Sequence, residues 1–139
     1  MSRLTIALTG VLMLAAAVLG PFALRTAAQG ARAQAAVRHV VVFKFKPEAT
    51  AAQIQRVTDA FRALATTVPG ITAFEDGVNN SPENKNQGFT HVYTLTFESE
   101  AARNAYLPHA EHKKFGQLLG SSGIFVDAFV VDYVPTKSK

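Results

Sequence analysis

Apolar and polar positions change period along the chain, and the changes mark its elements. Val37-Arg-His-Val-Val-Val-Phe-Lys-Phe45 is rich in β-branched and aromatic residues and stops before Pro47, which has no N–H for a ladder, so a first strand is predicted there. Thr50-Ala-Ala-Gln53 has the form of a capping box, in which a hydroxyl and a side-chain amide satisfy open amides at a helix start. Ile54, Val57, Phe61, Leu64 and Val68 then fall on one helical face, and Pro69-Gly70 ends the helix. A second strand is expected from Ile71 to about Val78, followed by a polar loop from Asn79 to Gln87. Phe89, His91, Tyr93, Leu95 and Phe97 alternate with Thr90, Val92, Thr94 and Thr96, the period of a third strand. Ser99 can cap a second helix through about Tyr106. Pro108 removes a backbone donor and interrupts it, so His109 to Leu119 restarts as a separate helical segment ending at Gly120. Ile124 to Val134 reads as a last strand, with little polar content beyond Asp127 and Asp132.

The order strand, helix, strand, strand, helix, strand implies an α+β fold: a ferredoxin-like βαββαβ arrangement with a four-stranded antiparallel sheet. Two helices cover one face of such a sheet and leave Phe and Val side chains on the other facing water. At ~25 cal/mol per Å² of apolar surface, each such side chain sealed away contributes on the order of 1.5 to 3 kcal/mol. The sheet is therefore expected to pack on a second copy as a homodimer.

The first residues change the charge argument. Arg3 precedes an uncharged run from Leu4 to Leu24 and a small-residue tract containing Ala27, Ala28, Ala31 and Ala33, the pattern of a secretory signal peptide. Residues 1–35 are read as that signal and a short linker, 36–135 as one domain and 136–139 as a basic tail. Export to the periplasm or the exterior is the expectation; the alternative is an uncleaved membrane anchor, since the run approaches the ~20 residues that span a bilayer. The formal net charge of +4 includes Arg3, Arg25 and Arg32, while every Asp and Glu lies later, so +1 remains for the domain. A nucleic-acid partner loses its support, and no membrane partner is expected after cleavage. With no cysteine, thiol catalysis, thiolate zinc sites and disulfides are excluded.

The chemistry-bearing stretch is Tyr106-Leu-Pro-His109-Ala-Glu-His112, one phenol and two imidazoles in seven residues. His109 and His112 are one turn apart, and His112 shares its helical face with Phe115 and Leu119, so it should point inward. An inward imidazole is either a satisfied core group or a site, and both readings stay open. A metal site would need His109 and His112 to share an ion with His39 or His91. No acidic residue is clearly placed to complete it, and no metal or other cofactor is expected. Alternation puts His39 on one strand face with Val41, Phe43 and Phe45, and His91 with Phe89, Tyr93 and Leu95, an apolar setting with few polar groups that suits a small aromatic ligand. The expected ligand-binding set is His39, Val41, Phe43, His91, Tyr106 and His109, with Asn79 to Gln87 either a lid or a plain solvated loop.

Arg38-His39-Val-Val-Val-Phe-Lys-Phe-Lys46-Pro, Val68-Pro-Gly-Ile71, Gly88-Phe-Thr-His91, Phe97-Glu-Ser99, the Tyr106/His109/His112 cluster and Val131-Asp-Tyr-Val134 together resemble the stress-responsive α/β-barrel (Dabb) domain family over Val37 to Val134. The resemblance implies a homodimer whose two sheets close into a barrel, and a site similar to that of a plant polyketide cyclase in the family. It implies catalytic roles for His39, Tyr106 and His112, with His91 also at a histidine position; Ala110-Glu111 depart from the Pro-Ala of many relatives. An aldol cyclisation needs a base near neutrality and a donor for the developing enolate oxygen, so His112 is assigned as base, with Tyr106 and His39 as donors or orienters. The expected function is binding of a small hydrophobic or aromatic, polyketide-like ligand, with cofactor-free cyclase or lyase chemistry. The alternative is a non-catalytic stress-response or structural dimer module.

Overall fold

The computed structural model describes residues 35–136. The leader expected over 1–35 lies, apart from Ala35, outside the described residues, as do the last three residues of the tail. Among the described residues no helix is long and apolar enough to cross a membrane.

Strand β1 (Val37–Phe45) alternates strictly over its first eight residues, with Val37, His39, Val41 and Phe43 buried. Helix α1 (Ala51–Thr67) starts on the expected capping box: Gln53 N donates to the Thr50 hydroxyl and Thr50 N donates to Gln53 Oε1. Its inward stripe is Val57, Phe61 and Leu64, with Thr58 beside them. The chain turns at Gly70, whose φ of +86° suits glycine and where a Cβ would come 2.6 Å from that of Ala102.

Strands β2 (Ile71–Val78) and β3 (His91–Phe97) follow, joined by the long polar loop. β3 starts two residues later than its alternation suggests, because Phe89 N donates to Asn86 O at 2.8 Å and Gly88 takes a φ of +86°. Phe89 belongs to the turn. Helix α2 (Glu100–Tyr106) is capped by Ser99, and α3 (Ala110–Ser121) by His109, so the second helical region is split at Pro108 as the sequence implies. Strand β4 (Phe125–Tyr133) completes the sheet.

All strand pairs are antiparallel and the order is β2-β3-β1-β4, the ferredoxin-like topology. The three helices bury one face around Val41, Phe43, Tyr93, Leu95 and Phe97. The other face carries Val40, Val42 and Val92 with Phe129, Val131 and Tyr133 from β4, and Phe129 is 55 % exposed. Phe129 thus belongs to the open face.

Candidate functional site

The β1 and β4 ladder sets His39 directly opposite Asp132. Both side chains take the helix-covered face, and His39 Nδ1 lies 2.6 Å from Asp132 Oδ1. A carboxylate only accepts, so Nδ1 carries the hydrogen and donates it, leaving Nε2 with the lone pair. The other oxygen of Asp132 pairs with Arg103, which α2 delivers from above the sheet edge. Burial, followed by the nearby charges of His112 and Arg103, pushes His39 down to about 4. The Asp132 carboxylate alone would favour the charged ring, but Arg103 offsets that charge, so desolvation prevails and the imidazole is neutral.

Tyr106 ends α2, one turn after Arg103, and its ring sits between two imidazoles: 5.8 Å from His39 and 4.2 Å from His112, between centroids. Burial drives the phenol upward, so it stays protonated. The bend at Leu107-Pro108 returns the chain so that His112, on the first turn of α3, places Nδ1 3.0 Å from the Leu107 carbonyl. A carbonyl accepts only, so His112 too carries its hydrogen on Nδ1 and presents Nε2 as the basic nitrogen. His112 is half-buried, whereas Tyr106 and His39 behind it are 1 % and 6 % exposed.

The structure therefore brings His39, Tyr106 and His112 together. It puts the other expected residues to different uses. His109 caps α3, its Nδ1 accepting from Glu111 N at 3.2 Å. His91 pairs across the sheet with Phe43, four residues from the Leu95 that faces His39, or ~13 Å along the strand. There its ring packs on Phe45, and its Nδ1 meets the Thr90 hydroxyl at 2.9 Å. Val41 is core, and Phe43 stands inside a packed set of rings with Phe61, Tyr93 and Phe115, at centroid separations from 4.5 to 6.3 Å within the set. The space around Phe43 is filled by these side chains.

Two cavities among the described residues lie elsewhere. One of about 370 Å³ opens on the outer sheet face, lined by Val42, Val92, Phe129 and Phe89 with Asn79 and Lys85 to Gln87 of the long loop. That loop borders the outer face and is no lid over His39. A second, of about 250 Å³, lies between α1 and β2-β3 beside Thr58, Asp76, His91 and Tyr93. Neither is lined by His39, Tyr106 or His112. Among the described residues no group of three His, Asp or Glu side chains is placed to hold a metal ion.

Two members of the site, Asp132 and Arg103, were not singled out from the sequence. The signals were present: Asp132 is one of two carboxylates in an apolar strand, and Arg103 precedes Tyr106 by one helical turn. Neither signal says that β4 pairs with β1 in the register that joins them to His39.

Comparison with known proteins places this geometry in a family. The model of the stress responsive A/B barrel domain matches residues 37–135. Olivetolic acid cyclase of Cannabis sativa is 32 % identical over 102 residues, covering 73 % of this chain and 99 % of the cyclase. Among solved structures, an Arabidopsis thaliana protein superposes with a TM-score of 0.68 at 31 % identity, covering 74 % of this chain and 98 % of its own. A protein from Jannaschia sp., described as a dimeric ferredoxin-like protein of unknown function, gives 0.59 at 27 % identity, covering 70 % and 97 %. With the family model matched over residues 37–135 and a relative 32 % identical over 99 % of its own length, the chain belongs to the stress responsive A/B barrel domain family.

Proposed function

We propose that the chain binds a small hydrophobic, polyketide-like ligand at the bend between α2 and α3 and moves a proton on it without a cofactor. The observation that carries this reading is the Tyr106–His112 ring contact at 4.2 Å, made while the Leu107 carbonyl holds His112 Nδ1–H. A basic nitrogen and a protonated phenol thus stand side by side. His112 Nε2 takes a proton α to a carbonyl, and Tyr106 donates to the enolate oxygen that develops. The enolate carbon then attacks a second carbonyl of the same ligand, forming the ring C–C bond, and the new alkoxide takes the proton back from His112. Similarity to olivetolic acid cyclase supports this class of chemistry.

Because His39 and Phe97 pack against the buried Tyr106 ring, the latter at 5.1 Å between centroids, the ligand lies toward half-buried His112 and exposed Leu107. Positioned acid–base catalysis contributes ~10² to 10⁴ in rate, enough for a reactive β-keto compound. Turnover of linear poly-β-keto thioesters by wild type and His112→Ala is the test. A loss of roughly 10²-fold or more is expected, and unchanged turnover removes the enzyme reading.

A second reading is favoured by one observation: the near-complete closure of His39 and Tyr106. It makes the chain a non-catalytic dimer module of the stress response, and no turnover by wild type on any such substrate would select it.

A homodimer through the outer sheet face is part of both readings, supported by exposed Phe129, Val131 and Tyr133 and by the dimeric relative. Export by the leader over residues 1–35 is part of the proposal as well. N-terminal sequencing of the protein recovered outside the cytoplasm tests it, and retention of Met1 in the membrane would indicate the anchor.

A further inference from the structure

His39, Asp132 and Arg103 form an organised set that the proton-transfer scheme above leaves unused. Asp132 faces His39 from β4, Arg103 and Tyr106 from α2, and His112 from α3. Arg103 and Tyr106 are three residues apart on α2, so one helix face carries both the guanidinium that meets Asp132 and the ring that meets His39. Asp132 is shared: one oxygen on His39 Nδ1, the other on Arg103.

We propose that Asp132, clamped by Arg103, is a positioning residue that fixes His39 as the neutral Nδ1–H tautomer and so keeps Nε2 as a hydrogen-bond acceptor beside Tyr106. The physical basis is that an imidazole has two inequivalent nitrogens, and the partner of one decides the role of the other. An acceptor on Nδ1 removes the alternative in which Nε2 is a donor. Arg103 anchors the second oxygen and offsets the carboxylate charge, so His39 is oriented without becoming an imidazolium. In this arrangement His39 can receive a hydrogen bond at Nε2 and cannot donate one from it. The inference rests on the acid–base reading of the site and gives His39 the acceptor's part in it. The sequence-based assignment of His39 as donor or orienter is thereby narrowed.

The tautomer is read directly by ¹⁵N–¹H correlation spectra of the imidazoles in the full chain, which has four histidines. His39 is assigned by the signal missing in His39→Gln. In wild type, His39 should show a protonated Nδ1 and a bare Nε2, and should stay uncharged down to about pH 5. A bare Nδ1, or an imidazolium at pH 7, overturns the proposal without any further variant.

Asp132→Asn gives a sharper result. Arg103 can only donate, so it keeps the Asn oxygen, and the Asn NH₂ turns to His39 Nδ1. The hydrogen then moves to Nε2. Adding Arg103→Ala frees the amide to turn its oxygen back, and the Nδ1–H form should return. A merely structural role for Asp132 predicts no such switch and reversal; a folded Asp132→Asn protein with its tautomer unchanged overturns the proposal. Because the spectra need no substrate, absence of turnover would count against the acid–base reading alone, and the positioning claim stands or falls on the tautomer.

Discussion

Phe61 of α1 and Phe115 of α3 stack with centroids 4.5 Å apart and planes inclined by 16°. Phe43 of β1 lies parallel to both within 20°, so three elements meet in one layer of rings. That layer fills the helix-covered face around Phe43, one of the residues in the expected ligand-binding set. Replacing Phe61 by Ala should cost about 3 to 5 kcal/mol, the range for removing a buried ring. Urea unfolding should show the lower midpoint with an unchanged m-value. The same variant should gain an apolar cavity able to take a benzene-sized probe, detectable by ligand-dependent stabilisation; failure to gain any would mean that neighbouring rings collapse into the gap.

Acid should weaken the fold through His39. In the unfolded chain its imidazole returns to about 6.5, whereas burial, His112 and Arg103 hold the folded one at about 4. Above pH 6.5 neither state binds the proton and stability is unaffected by this group. Between 6.5 and 4 only the unfolded chain binds it, so stability falls as pH falls, by up to about 3 kcal/mol. Urea unfolding of wild type and His39→Gln between pH 7 and pH 4 isolates the contribution as the difference of slopes. Parallel curves would contradict it.

Tyr106→Phe separates donor from packing. The ring and its contacts at 4.2 and 5.8 Å remain while the hydroxyl is lost. Stability should change by about 1 kcal/mol or less. Turnover of a β-keto substrate, if His112 acts as proposed, should drop by on the order of 10²-fold, the size of one lost transition-state donor. Equal turnover would remove Tyr106 from the reaction.

The outer sheet face should be a dimer contact. Phe129→Glu combined with Val131→Glu places two carboxylates on that face without touching the helix-covered core. Light scattering at micromolar concentration should give a dimer for wild type and a monomer for the variant, with helical circular dichroism retained. A wild-type monomer would sink the assignment of this face.

Removing the Thr50 hydroxyl should show how much the capping box contributes. Thr50→Ala loses the bond from Gln53 N and leaves the reciprocal one, at a cost of about 1 kcal/mol measurable by thermal or urea unfolding.

The elements were legible in the sequence because their signals are local. Thr50 and Gln53 lie three residues apart, Pro108 breaks a helix at its own position, and the alternation around His39 and Tyr93 is a property of each strand alone. Those same signals put His39 and His112 on apolar faces and Tyr106 at the end of its helix, and the structure joins the three. Periodicity fixes which face a residue takes; it does not fix how far along the sheet it sits. His91 shares a face with His39 yet lies at the other end, because register pairs it with Phe43. Asp132 and Arg103 entered the site for the same reason in reverse, brought to His39 by the β1–β4 register and the placement of α2. Whether space remains around Phe43, part of the expected ligand-binding set, depended on side-chain volumes from four elements at once. Packing of Phe43, Phe61, Tyr93 and Phe115 decided it, and no single segment of sequence contains that sum.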